Sequence, residues 1–498
     1  MRVTTSLVSC LLGPLLVGCG PATLDPIATE ASGSTGGTGG TGETGETEGA
    51  SGVSSPTEVM PSTEGSGTDP GESSGGESSG GGTTEVDLLT CEVEGTCNQL
   101  DLLLVIDNSG SMAEEQLNLA KQFPKLVERL RTLDDAQGQA VGVDVNVMVT
   151  TTDVGHPLCS DFYKDGYVPA VGGPITTPCT DRLSGFTAYG GTPSVPEACT
   201  SVCSTTAAPG DPFIHFDLDG DNIMNASGMG DPAVEALACI APQGIDGCGM
   251  EAPLEAMIQA LSPDATWNTG DKPFLRPGGV LAIIILTDET DCSTLEFEYF
   301  NPANKDDPEF NKYWPDQPGN PGVKQDPTSG VCWNASMTCT ETTMDDVYES
   351  CEAEDKGVLH PRARYTDILA QAFEAAGKPV FMLLLGGVPA VTAHDSEAPH
   401  GPTAGGILDL VYREWRPSDI LPGDPKDAAT KQYEFAIGPG CSNAETGQAI
   451  PPGRIQDVCE SLDRPGELRC CIESICDDNF AGAMDCLADM LAQKLTAD

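Results

Sequence analysis

The chain has 498 residues and a formal charge of −52, with 76 acidic side chains against 24 lysines and arginines. No lysine or arginine lies between Arg2 and Lys121, which makes nucleic acid a poor partner, because binding a phosphate backbone requires clustered cations. Five histidines, and twenty cysteines with no C-x-x-C pair among them, argue against zinc sites.

Residues 1–18 carry one arginine and then an apolar run too short to span a bilayer, the pattern of a secretory signal. The run ends in Leu16-Val17-Gly18-Cys19, which resembles the lipobox of bacterial lipoproteins. That resemblance implies cleavage before Cys19, a lipid on its sulfur, and a place in the bacterial cell envelope. Gly20 is not the aspartate of inner-membrane retention, which points to the outer membrane or cell surface. Residues 19–90 are rich in Gly, Ser, Thr and Glu with little to bury, and read as a disordered tether of roughly 45–50 Å end to end. Eighteen cysteines remain for the exported part, an even number that suggests up to nine disulfides. Adjacent Cys470 and Cys471 should take different partners, and at least one short-range pair is expected, such as Cys239 with Cys248, which bracket the turn leading to Glu251 and would fix it.

Residues 91–498 alternate apolar strands with amphipathic helices, predicting an α/β fold with a mainly parallel sheet. In DLLLVIDNSGSM, residues 101–112, a buried strand runs into a loop where Asp107, Ser109 and Ser111 occupy alternate positions and Gly110 permits a tight turn. Three small oxygen donors at that spacing suit a hard divalent cation; they also suit the cap of the helix predicted over 114–130, which Pro124 should kink. Strands follow at 141–151 and, at an edge, 213–216, with helices at 232–241 and 253–261. The run VLAIIIL, 280–286, is the most apolar strand and leads into Thr287-Asp288-Glu289. A helix over 362–376, a strand over 380–385, and a helix over 480–495 with Asp477, Asp478 and Asn479 as cap donors complete the series.

Two buried strands that each deliver an aspartate at their carboxyl ends resemble the von Willebrand factor type A domain and its metal-ion-dependent adhesion site. The matching residues are Asp107, Ser109 and Ser111, then Asp288. The resemblance implies a sheet with helices on both faces, a divalent cation (Mg, Mn or Ca), and a protein or other macromolecular partner that completes the coordination with an acidic group. It implies no enzymatic activity, and membrane contact through the lipid anchor only. One departure is that Glu251 stands where the family has a threonine. It reads equally as a fifth ligand or as a first-turn glutamate before Pro253.

Insertions near 155–231, 291–360 and 386–435 each follow a strand and should surround the cation if the strands are parallel. In the first of them Asp217, Asp219 and Asp221 resemble the start of a calcium loop, though Asn222 replaces its glycine and Gly228 its final glutamate. Two other functions remain open. A Mg-dependent phosphohydrolase also places an aspartate after its first strand, but Ser109 stands where such enzymes need a second aspartate. A structural envelope protein with a closed metal site is the other.

Overall fold

The structure, a computed structural model, describes residues 98–340 and 346–496. The signal segment, Cys19, the tether, Cys91 and Cys97 therefore lie outside the described residues. Among those described, no helix is long and apolar enough to cross a membrane.

The core is a six-stranded sheet built from β1 (Gln99–Ile106), β2 (Asp144–Thr151), β3 (Ile214–Phe216), β4 (Val280–Leu286), β5 (Val380–Gly386) and β6 (Cys470–Ser474). Its order is β6-β5-β4-β1-β2-β3, parallel throughout except for β3, which runs antiparallel on the edge of β2. Buried parallel strands need apolar side chains on both faces, as β1 and β4 have. Successive side chains then point in opposite directions. Leu102, Leu104 and Ile106 join a core with α1 (Ala113–Arg131), α2 (Pro232–Ile240) and α6 (Ala481–Ala492). Leu103 and Val105 join another with α3 (Pro253–Ala260), α4 (Ala363–Ile368) and α5 (Arg454–Glu460).

One polar residue interrupts β1. Asp101 is fully buried and is held by Lys378 Nζ at 2.6 Å and Arg276 Nε at 2.8 Å, so its charge is compensated at the amino edge of the sheet.

The chain leaves β1 for β2 on one side and places β4 on the other, so the seam between β1 and β4 is a topological switch point. Open α/β sheets bind ligands outside the carboxyl ends of their strands at such a point. Ile106 pairs with Leu286 in the register, and Asp107 N donates to Leu286 O at 2.9 Å, which brings the two aspartate-bearing loops side by side.

Several local expectations change. α1 contains Pro124 within its single run from Ala113 to Arg131. The helix at 362–376 is α4 followed by a wider π turn, Leu369–Phe373, and a 3-10 turn that stops at left-handed Gly377. Asn479 Oδ1 accepts from Ala481 N at 3.2 Å, whereas Asp477 and Asp478 use their carbonyls to accept Asn118 and Gln122 from α1.

All sixteen described cysteines are in disulfides. Cys470 and Cys471 have different partners, Cys459 and Cys486. Short-range pairs form at Cys459–Cys470 and Cys339–Cys351, but not between Cys239 and Cys248. Cys239, on α2, faces the small core of the first insertion and bonds Cys203, while Cys248 lies beyond the following turn and bonds Cys159.

Candidate metal centre

Asp107 is fully buried at the end of β1. Its Oδ1 accepts Ser109 N at 2.9 Å, and its Oδ2 accepts Thr287 Oγ1 at 2.6 Å, a bond across the β1–β4 seam. Ser109 Oγ and Ser111 Oγ are 3.0 Å apart, and Ser111 Oγ donates to Glu289 Oε1 at 3.4 Å. Ser109 is buried; Gly110 and Ser111 are exposed, so the loop presents one open side. Asp288 and Glu289 are buried at the carboxyl end of β4.

Glu251 reaches the same place from the turn before α3. The turn rests on the aspartate loop, with Gly247 N donating to Asn108 O at 2.8 Å, so close that a Cβ on Gly247 would overlap the Asn108 amide. Asp153, after β2, fixes the turn further. Its carboxylate accepts Cys248 N at 3.1 Å together with the hydroxyls of Tyr163 and Tyr167 from the first insertion. The amino terminus of α3 is served by other residues, since Leu254 N donates to Asp291 Oδ1 and Glu255 N to Ser293 Oγ. Glu251 is fully buried, and neither of its carboxylate oxygens has a hydrogen-bond partner.

The electrostatics of this group are one-signed. Burial pushes Asp107 up to about 6 and Glu289 up to about 8. Burial also raises Glu251 well above the usual carboxylate range, and Glu289, Asp107 and Asp288 add to it. Asp288 is raised in the same way, with Asp107, Glu115 and Glu289 as the neighbouring charges. Asp288 Oδ1 and Glu289 Oε2 join both Glu251 oxygens as buried atoms without a partner. Buried carboxylates without partners are costly, and a hard cation with oxygen ligands is a chemistry that answers them. These oxygens are of the kind a divalent ion takes, but the group of three carboxylate or imidazole ligand atoms found within 4.8 Å of one another among the described residues lies elsewhere, so an ion here would draw on the hydroxyls of Ser109 and Ser111 as well.

The three insertions leave from this edge and come near the group. Ala188 of the first lies about 4.0 Å from where a Gly110 Cβ would stand, while Ser329 of the second and Glu434 of the third act on Glu289. Glu289 and Thr287 were passed over in the sequence although they flank Asp288 in Thr287-Asp288-Glu289. Glu115 was missed too, because a glutamate in the first turn of a helix reads as solvated.

The loop of three aspartates does not gather its side chains. Asp217 Oδ1 accepts from Asp219 N and Gly220 N and Asp221 Oδ1 accepts from Ile223 N, so these two close their own turns, and Asp219 and Asp221 stay exposed. Asp217 instead joins Asp144 and His215 in a group whose ligand atoms lie within 4.8 Å of one another, a candidate metal-binding triad. It sits at the amino edge of the sheet, on β2 and β3, away from Asp107. Asp144 there already pairs with Arg276 Nη1 at 2.5 Å, and His215 Nδ1 is 3.0 Å from Asn146 Oδ1.

No family model matches the chain, and no curated protein matches it.

Proposed function

We propose that the chain is a lipid-anchored protein of the bacterial cell envelope whose type A-like domain, a parallel sheet with helices on both faces, binds a macromolecular partner through a divalent cation. Asp107, Ser109, Ser111, Asp288 and Glu251 would hold the cation, and the ion supplies an electrophilic centre for an acidic group of the partner. The observation that carries this reading is the group of partnerless buried carboxylates at the β1–β4 switch point, with Ser111 on its open side. Insertions braced by Cys159–Cys248, Cys179–Cys199, Cys292–Cys332 and Cys339–Cys351 give the site a pre-formed rim, which lowers the ordering cost of recognition.

The full burial of Asp107 and Glu251 favours a second reading, a closed structural clamp. The two separate in one experiment. Capture of envelope proteins on the purified chain should be lost on adding a chelator and restored by Mn, Mg or Ca; capture indifferent to the chelator leaves only the clamp.

The ligand role of Glu251 has its own test. Glu251→Gln removes one charge without changing shape, and calorimetric titration should show cation affinity falling by about tenfold or more, since about 1.4 kcal/mol is a factor of ten. Equal affinities in the two proteins would take Glu251 out of the ligand set.

A further inference from the structure

The proposed function makes no use of the group at the amino edge of the sheet. Asp144 opens β2, His215 lies on β3 directly across from Asn146, and Asp217 begins the turn that follows β3. One ligand atom from each of the three lies within 4.8 Å of the others. His215 Nδ1 is 3.5 Å from Asp144 Oδ1, and its Nε2 is 3.6 Å from Asp217 Oδ2. Asp144 pairs with Gln99 where β1 begins, whereas Asp107 follows the far end of that strand. The group is thus separated from the switch point by the length of β2, roughly 23 Å at about 3.3 Å per residue.

Each of the three is held from behind by groups outside them. Asn146, buried beside the ring, donates its amide nitrogen to Phe274 O at 3.1 Å, which turns its oxygen toward His215 Nδ1 at 3.0 Å. Nδ1 therefore carries a hydrogen, and Nε2 is left to face the carboxylate. Asp217 Oδ1 is taken by Asp219 N and Gly220 N at 2.7 and 2.8 Å, which fixes that carboxylate with Oδ2 toward the ring. Asp144 is anchored by Arg276 Nη1 at 2.5 Å, and the same guanidinium also donates to the Asp101 carboxylate. A proton on Nε2 and a metal ion are the two ways to fill the gap between Nε2 and Asp217 Oδ2. At 3.6 Å a proton makes no hydrogen bond. Ligands each about 2.0–2.2 Å from a tetrahedral ion, in contrast, stand roughly 3.3–3.6 Å apart. A histidine whose other ring nitrogen donates to a fixed oxygen, beside a carboxylate whose second oxygen is hydrogen-bonded, is the outer shell that metal ligands use.

We propose that Asp144, His215 and Asp217 form a divalent cation site, with His215 Nε2 and Asp217 Oδ2 as its inner pair, Asp144 as the third ligand and water completing the shell on the open side. One imidazole with two carboxylates suits an ion of the zinc class rather than Mg or Ca. Such a site needs neither a histidine pair nor thiolates, so a chain poor in histidine and without C-x-x-C pairs can still build it. The ion would join β2 to β3, an edge strand held by three register pairs, and so fasten the returning end of the first insertion to the sheet. None of its ligands belongs to the switch-point group, and the two readings stand or fall separately.

Zinc uptake in excess Mg²⁺, which keeps any oxygen-only site occupied by a harder ion, is the test. Calorimetry on the purified chain should show zinc binding whose affinity falls by at least about tenfold in His215→Ala and in Asp217→Asn. It should be unchanged in Asp221→Asn, an exposed neighbour in the same loop. Absence of zinc uptake, or uptake that either His215→Ala or Asp217→Asn leaves untouched, overturns the proposal and assigns the gap to a proton. A second measurement uses the unaltered chain and does not depend on the variants folding. Diethyl pyrocarbonate acylates a free imidazole nitrogen, and zinc should protect His215 from it when the modified sites are mapped by mass spectrometry. Modification of His215 that zinc does not slow overturns the proposal as well.

Discussion

Replacing Cys159 and Cys248 together by serine is expected to lower stability by about 4–5 kcal/mol, the chain-entropy value for a crosslink across 89 residues. This bond closes the first insertion onto the turn that delivers Glu251, so its loss should weaken cation binding as well as the fold. Cys339–Cys351 is the control. It spans 12 residues within the second insertion, where the same relation gives about 3 kcal/mol, and cation affinity should be unchanged when it is removed. Denaturant unfolding and metal titration of the two double variants read both quantities. Unaltered affinity without Cys159–Cys248 would mean that Gly247 and Asp153 position Glu251 unaided.

Freed of divalent cations, the protein should melt at a lower temperature at pH 8 than at pH 5. The buried carboxylates have folded-state pKa values raised above their unfolded values, Asp107 to about 6 and Glu289 to about 8, with Glu115, Glu251 and Asp288 raised as well. The folded chain then binds more protons than the unfolded one, so their contribution is fully present below the unfolded carboxylate pKa and is lost as pH rises through the folded values. His156, which burial pushes down to about 4, and His360, also lowered, act in the opposite sense, whereas Asp246, Asp291, Glu460 and Glu473, raised by burial, act with the five. A cation at about a thousand times its dissociation constant adds about 4 kcal/mol. That gain should be largest at pH 8, where protons no longer compete for the carboxylates. Melting curves across this range with and without Mn²⁺ test it. A cation-free melting temperature that climbs from pH 5 to pH 8 would show that some other partner neutralises the group.

Much of the frame was legible because a parallel sheet writes itself in apolar runs. VLAIIIL corresponds to β4 residue for residue, and the adjacency of Asp107 and Asp288 follows once β1 and β4 pair in register. The sixth strand was not found. CCIES carries Glu473 next to its last residue, which breaks the apolar pattern, and that carboxylate is buried against His394 Nε2 at 2.8 Å, a partner far away in sequence. Glu115 was hidden for the same kind of reason, since what buries it is a hairpin more than three hundred residues downstream. Cysteine pairing was illegible beyond the separation of Cys470 from Cys471, because Cys203 and Cys239 meet only once the first insertion has folded back on α2. The three aspartates at 217, 219 and 221 had the composition of a cation loop, yet backbone N–H groups claimed two of the three carboxylates.

The placement of β1 has a mechanical consequence. The chain upstream enters the sheet at Gln99, and the Asp107–Ser111 loop follows its far end, so the proposed attachment and the proposed grip lie at opposite ends of one strand, roughly 26 Å apart at about 3.3 Å per residue. A pull between an upstream anchor and a captured partner would run lengthwise along β1. Both flanking strands, β2 and β4, are parallel to it and bonded along nearly its whole length. Such a pull loads the two ladders in shear, so that many hydrogen bonds must fail together, whereas a terminal edge strand would peel from one end. Asp101, clamped by Lys378 and Arg276 close to the point of entry, resists the first slip. If the proposed function holds, a grip arranged in this way resists tension.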